Sequence, residues 1–328
     1  MHLHLLLFLT QHFGDSYMNK PLVLLCVVLS TFFWGSNFNV AALIVNHVSP
    51  MMAATERFVI ASIMILAVLF LREKNNWAAL KRNYLAFILL GLCGITGFNL
   101  AFFIGLQTTT PINGALIMAT SPITTALLFT LCERQRLSVM QCVGMLISLL
   151  GVLLVISKGS IGNLLNMQFN QGDIIIFLGN IAWAAYTVGC RKYSVGATPL
   201  QITSFTMLFG TLGIVMFAYY TEGTFGSLYN ISVFNHVALI YMGIAGSVLA
   251  YLFWNVGVKN LGAANTAVFF NLVPVFTMIL AILNNILPTS LQISGAVLVI
   301  TGVICATQSY KLFFRPKPLV VSSVNPTR

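Results

Sequence analysis

Two stretches decide how this chain folds: 105–156, GLQTTTPINGALIMATSPITTALLFTLCERQRLSVMQCVGMLISLLGVLLVI, and 250–303, AYLFWNVGVKNLGAANTAVFFNLVPVFTMILAILNNILPTSLQISGAVLVITGV. At an offset of 152, Gly105 meets Gly257, Asn113 meets Asn265, Ala115 meets Ala267, Pro122 meets Pro274 and Thr125 meets Thr277. At 151, Gly144 meets Gly295 and Gly151 meets Gly302. Further upstream, Gly94 meets Gly246 at 152, while Trp34 meets Trp183 and Pro50 meets Pro199 at 149. Glycine and proline are common in apolar helices, so single matches carry little weight. Their conserved order does carry weight, and it shows one unit written twice.

Composition fixes the environment of that unit. Of 328 residues, 58% are hydrophobic and 7% charged, where a soluble chain carries about 25% charge. Too few charged side chains exist to cover a water-facing surface. A helix needs about 20 mostly apolar residues to cross the hydrocarbon layer. Ten runs qualify: 21–46, 50–71, 84–106, 112–131, 139–157, 173–190, 199–219, 237–257, 263–283 and 290–309. None alternates with period two, which disfavours a membrane barrel. The prediction is an all-α integral membrane protein of ten transmembrane helices.

Each unit then holds five spans, an odd number, so the second unit enters the membrane from the opposite side. Ten spans put both termini on one face. With that face cytoplasmic, 14 of the 16 Lys and Arg residues fall on the inside and only Lys158 in an outer loop, as the positive-inside rule requires. The +10 net charge arises from scarce acids, six in all. It is therefore a topology signal facing anionic lipid, and no nucleic-acid partner is expected. Residues 1–20 read as an N-terminal extension, with Met18 a natural start. Residues 21–157 form the first repeat, 158–172 an outer linker, 173–309 the second repeat and 310–328 a basic cytoplasmic tail. The six cysteines avoid the outer loops and show no metal-ligand spacing.

Two inverted five-helix repeats are a recurring design of secondary transporters, because the halves can exchange inward-open and outward-open shapes. The two quoted stretches, with Trp34-Gly35, Arg57-Phe58 and the Pro122/Pro274 pair, resemble the EamA-type repeat of the drug/metabolite transporter superfamily over roughly residues 21–309. The resemblance implies a compact bundle around a central cavity lined by spans 1, 3, 4, 6, 8 and 9, and a cargo of small metabolites, frequently exported. It also implies a Gly-Glu after the fourth span of each unit. The first unit has Cys132-Glu133, whereas the second has Asn284-Asn285 and no acid.

Ionisable groups inside a membrane are functional candidates by default. Glu56 and Arg57 are the two here. Neighbours on a helix do not face each other, so they are not a mutual ion pair. Arg57 either receives a substrate anion or ties down helix-end carbonyls. Glu56 either receives a cationic group, couples a proton or reaches outer water. Polar and aromatic residues form the second set: Trp34 and Asn37 on span 1, their repeat mates Trp183 and Tyr186 on span 6, Asn99 and its mate Tyr251, and Asn255 and Asn271. Such groups hold an amphipathic solute, or else bond helices together. Pro122 and Pro274 lie mid-span and are predicted to kink their helices, as gates or as packing features. Glycines 144, 151, 295 and 302 predict a close helix contact, within the monomer or at a homodimer face.

No nucleotide-binding loop, HExxH or GxSxG motif is present. No cofactor and no metal are expected, and the chain does not read as an enzyme. The expectation is a secondary transporter, an exporter of small polar or amphipathic metabolites, amino-acid-like or drug-like, working by alternating access in a bacterial inner membrane. The alternatives are an organic-phosphate or nucleotide-sugar antiporter of the same fold, and a membrane binder or embedded enzyme that transports nothing.

Overall fold

The computed structural model describes residues 19–44, 47–74, 76–157, 170–226 and 231–308. Residues 1–18 of the N-terminal extension, most of the outer linker and the C-terminal tail lie outside the described residues. Ten helices are long and apolar enough to cross a membrane: α1 (Lys20–Ile44), α2 (Pro50–Arg72), α3 (Asn76–Gly105), α4 (Asn113–Glu133), α5 (Val139–Ile156), α6 (Gln171–Tyr193), α7 (Pro199–Glu222), α8 (Val233–Leu261), α9 (Ala263–Asn284) and α10 (Ser290–Thr307). The described residues contain no strand. The protein is an all-helical multi-pass membrane protein.

Local sequence sets where these helices begin. Ser49, Ser138, Asn170, Thr198, Ser232 and Thr289 stand at N-caps, each accepting a bond from the backbone N–H three residues on. The caps repeat with the units. Ser49-Pro50 and Thr198-Pro199 start α2 and α7. Ser138/Gln141 and Thr289/Gln292 close reciprocal capping boxes on α5 and α10. Capping satisfies N–H groups that would otherwise end unbonded near lipid.

Two helices depart from α geometry at matching places. α3 carries a π-helical segment, Leu92–Gly97, and α8 carries another, Met242–Leu249. Each contains the matched glycine, Gly94 or Gly246. π segments shift side-chain register and are frequent at functional sites. Two further helices are interrupted near the mated prolines. α4 breaks at Thr120 between Ala119 and Ser121, just before Pro122, and α9 tightens to a 3₁₀ turn, Phe269–Asn271, just before Pro274.

The repeats interleave. α1 packs on α8 and α9 of the other unit, and α6 packs on α3 and α4. α2 and α7 form the matched pair between units, and α5 packs along α10 more extensively than any other pair. That last contact is backbone on backbone. A Cβ on Gly144 would lie 2.4 Å from Ala306 N, one on Gly151 2.5 Å from Val299 N, and one on Gly302 2.4 Å from Ser148 N. The four glycines that the sequence singled out therefore pack on each other's helices within one chain. Small residues let helices approach this closely in lipid, where packing rather than hydrophobic exclusion holds them together.

The bases gather at one end. Arg191 donates to the carbonyls of Val258 and Lys259, Lys192 to that of Cys132, and Lys259 to that of Ala197. Arg82 lies beside Gly196 there. Glu73, just past α2 at the same end, accepts from Thr198. Burial pushes its carboxyl above the ordinary value near 4.5, against the smaller opposing effects of the Thr198 hydroxyl and Lys259.

Candidate functional site

α1, α6 and α8, with the 3₁₀ turn before Pro274 on α9, meet at the centre of the bundle and fill it with aromatic rings. Trp34 lies with its ring centroid 5.4 Å from Trp183, 5.8 Å from Tyr251, 5.2 Å from Trp254 and 5.6 Å from Phe270. Trp183 stacks on Tyr186 at 5.3 Å and approaches Phe98 of α3 at 5.4 Å. Trp183, Tyr186, Tyr251 and Trp254 are fully buried, and Trp34 is nearly so. The rings close on one another in edge-to-face and tilted arrangements, with Trp183 and Tyr186 stacked. Four of the residues expected from sequence, Trp34, Trp183, Tyr186 and Tyr251, are thus brought together. Trp254 and Phe270 belong to the same cluster and were not expected. A signal existed: Trp254 lies three residues after Tyr251, on the same helical face.

Each π segment is where a residue of the opposite unit seats. Asn37 of α1 sits against Gly246, where a Cβ would lie 1.7 Å from the Asn37 Nδ2. Its repeat mate Tyr186 of α6 sits against Gly94, where a Cβ would lie 2.2 Å from the Tyr186 Cβ. Only glycine admits the Tyr186 contact, whereas a larger residue at 246 would require the Asn37 amide to swing aside. Trp34 Nε1 donates to the Gly246 carbonyl, within the π segment of α8, at 3.0 Å. Asn99, within the same α3 region, donates back to Ile95 O at 2.7 Å. Asn255 donates to the Tyr186 hydroxyl at 2.8 Å and to Thr203 at 3.0 Å, which anchors the ring cluster to α7. Asn271 turns the other way, donating to Ser148 of α5 at 3.0 Å. It ties α9 to the α5–α10 pair rather than facing the rings.

The two ionisable groups both reach α8. Glu56 pairs with His236 near the start of α8, Oε1 to Nδ1 at 2.7 Å, with the Glu56 side chain 14% exposed and the His236 side chain 37%. Glu56 Oε2 is buried without a partner. Arg57 donates to Ser247 Oγ at 2.8 Å and lies over the Phe58 ring at 4.5 Å. The arrangement agrees with the absence of a mutual Glu56–Arg57 pair. His236 was not foreseen, because nothing in the local pattern joins positions 180 residues apart. Beside Arg57 a recess of about 430 Å³, its open mouth included, is walled by apolar residues of α1, α2, α3 and α8, among them Ile44, Ala53, Phe103 and Met242. Arg57 is the charged group in that wall, and the Phe58 ring beside it is 6.3 Å from Tyr251 of the cluster. Recess, guanidinium and ring cluster therefore adjoin.

The profile of the EamA-like transporter family matches residues 21–157 and again residues 170–308. The chain belongs to this family. The transporter is 40% identical over 275 residues to the Bacillus subtilis (strain 168) protein named uncharacterized transporter YyaM, spanning 84% of this chain and 90% of that one. It is 27% identical over 292 residues to the protein named uncharacterized transporter YrdR of the same organism, spanning 86% and 89%. A WAT1-related chloroplastic protein of Arabidopsis thaliana, At3g02690, is 25% identical over 285 residues, spanning 83% of this chain and 66% of its own. A crystal structure with 17% identity superposes with a TM-score of 0.71, covering 90% of this chain and 100% of that one. At that identity the likeness shows the fold alone.

Proposed function

We propose that this transporter exports small amphipathic metabolites, amino-acid-like or drug-like, by alternating access through its centre, in the inner membrane of a bacterium. The observation that carries the reading is the ring cluster: both repeats contribute to it, it stands where they meet, and it adjoins a recess whose wall holds Arg57. Aromatic faces accept the apolar or cationic part of a solute. The Arg57 guanidinium accepts a single carboxylate or comparable anion. Arg57 is the base among the residues that wall the recess, and a single base disfavours organic phosphates, whose several charges would need several partners. With the rings packed on each other, solute entry requires them to part, and the breaks before Pro122 and Pro274 supply places for α4 and α9 to bend. The two termini are assigned to the cytoplasm because the bases gather at the end where the Glu73–Thr198 bond lies.

Glu56 is the proposed proton site, now with His236 as its partner. A proton on this pair changes the charge of the α2–α8 contact, and the unbonded Oε2 gives it a place to sit. Flux of amino acids and aromatic amines into sealed proteoliposomes, with and without a pH gradient, tests the reading. Uphill flux is expected in the wild type and only downhill flux in Glu56→Gln. Trp34→Ala and Trp183→Ala are expected to weaken ligand-induced thermal stabilisation. Full pH-driven flux in Glu56→Gln would remove the proton site, and unchanged stabilisation in both tryptophan variants would remove the cluster as the binding place.

A further inference from the structure

Several buried hydrogen-bond donors have no partner, among them Thr55 Oγ1, Ser62 Oγ, Thr125 Oγ1 and Trp183 Nε1. A buried donor without an acceptor is costly and calls for an explanation. Each of these four has a repeat mate, and each mate is bonded across the interface between the units. Thr55 corresponds to Ser204 at the offset of 149, and Ser204 Oγ donates to Ile65 O at 3.4 Å. Ser62 corresponds to Thr211 at 149, and Thr211 Oγ1 donates to Phe58 O at 3.2 Å. Thr125 corresponds to Thr277 at 152, and Thr277 Oγ1 donates to Gly35 O at 3.2 Å besides Val273 O of its own helix. Trp183 corresponds to Trp34 at 149, and Trp34 Nε1 donates to Gly246 O. In every pair one member is bonded across the interface and the other is not.

The same offsets carry the acceptors over: Ile65 to Ile214, Phe58 to Met207, Gly35 to Ala184 and Gly246 to Gly94. A helical carbonyl has a second lone pair and can take such a bond. We propose that the four unbonded donors are the contacts of a second state, in which Thr55 bonds Ile214 O, Ser62 bonds Met207 O, Thr125 bonds Ala184 O and Trp183 bonds Gly94 O. The four present bonds break as these form. The inference rests on the alternating-access reading and adds to it the residues that distinguish the two states. Exchanging the roles of two inverted repeats turns one facing state into the other, and these donors are that exchange written in hydrogen bonds. The ends of the α2–α7 pair are different. Ser49 donates to Glu222 Oε1 at 2.6 Å at one end, and Thr198 donates to both Glu73 oxygens at 2.8 Å at the other. These two are also mates at 149, and both are formed, so this pair of bonds is shared between the halves and marks the two ends of the α2–α7 contact.

Hydrogen–deuterium exchange on the full chain in lipid nanodiscs tests this without a solute. The readout is the ratio of exchange at the Ser49/Glu222 end to that at the Glu73/Thr198 end. Thr55→Val/Ser62→Ala/Thr125→Val removes contacts of the second state only. Ser204→Ala/Thr211→Val/Thr277→Val removes contacts of the present one. The two triple variants are expected to move the ratio in opposite directions, each at least threefold. A smaller shift in either, or shifts of the same sign, overturns the proposal. Should the second variant not fold, the first decides alone. It deletes only unbonded hydroxyls, so its melting temperature is expected to hold or rise while its exchange ratio still moves threefold. An unmoved ratio overturns the proposal. Absence of amino-acid flux in proteoliposomes with the ratio shifted as expected would count against the transport reading and leave the two states standing.

Discussion

Replacing Gly94 or Gly246 by alanine adds the same methyl group at mated positions, yet the structure predicts unequal costs. At Gly94 the new carbon lies 2.2 Å from the Tyr186 Cβ and 2.3 Å from its Cγ. Ordinary contact needs about 3.5–4 Å, so α3 and α6 must part by roughly 1.5 Å, because a Cβ cannot rotate out of the way. Overpacking of this kind costs about 1–3 kcal/mol, and more where backbone must shift. Removing a helical glycine returns roughly 1 kcal/mol, leaving a net loss of about 2 kcal/mol. At Gly246 the closer approach, 1.7 Å, is to the Asn37 Nδ2, the far end of a side chain that a χ rotation can swing aside. The net loss there is expected near zero. Thermal unfolding in nanodiscs, followed by tryptophan fluorescence, checks both. Gly94→Ala is expected to melt several degrees below wild type and Gly246→Ala within about a degree or two. A Gly246→Ala melting temperature at or below that of Gly94→Ala would refute the argument that the identity of the opposing atom, rather than the distance, sets the cost.

Three further outcomes follow from the geometry. Glu73 carries a carboxyl raised by burial, so its contribution to stability is fully present below about pH 4.5 and is lost as pH rises through its folded value. The stability of Glu73→Gln relative to wild type should therefore rise between pH 4.5 and neutrality. Gly302→Leu drives a side chain against Ser148 N and Gly144 O, and should separate α5 from α10, lowering the melting temperature by more than Gly94→Ala does. Arg57→Lys keeps a charge but loses the planar fork that meets Ser247 and lies over Phe58. It is expected to weaken binding of carboxylate-bearing ligands in thermal-shift titrations and to leave neutral amines unaffected.

Much of this fold was legible in the sequence because a bilayer imposes simple rules on it. Length of apolar run gave the ten helices. Mated glycines and prolines gave the repeat and the breaks before Pro122 and Pro274. Helix ends were less legible: α3 begins at Asn76 and α8 at Val233, each ahead of its apolar run, because polar first turns, capped by Ser232 in the case of α8, extend into the interface. Of the site, the ring residues could be chosen because mates under a two-fold axis converge. What stayed hidden were pairings that no local period encodes. Glu56 with His236, Arg57 with Ser247, and Asn271 turned toward Ser148 each join residues more than a hundred positions apart. The π segments were hidden for another reason. Their sequences, LCGITG and MGIAGSVL, read as ordinary apolar helix, and it is the ring or amide pressed onto the central glycine that marks them.

The interleaving of α1 with α8 and α9, and of α6 with α3 and α4, bears on how the chain is made. When the ribosome has released the first five helices, α1 has yet to meet the surfaces it will finally cover, and the polar groups of Trp34 and Ser30 await Gly246 and Ala250. The early half must wait in the bilayer, threaded but unfinished, until its sequel arrives. Neither half holds these contacts by itself, so the central ring cluster exists only once both repeats are in the membrane.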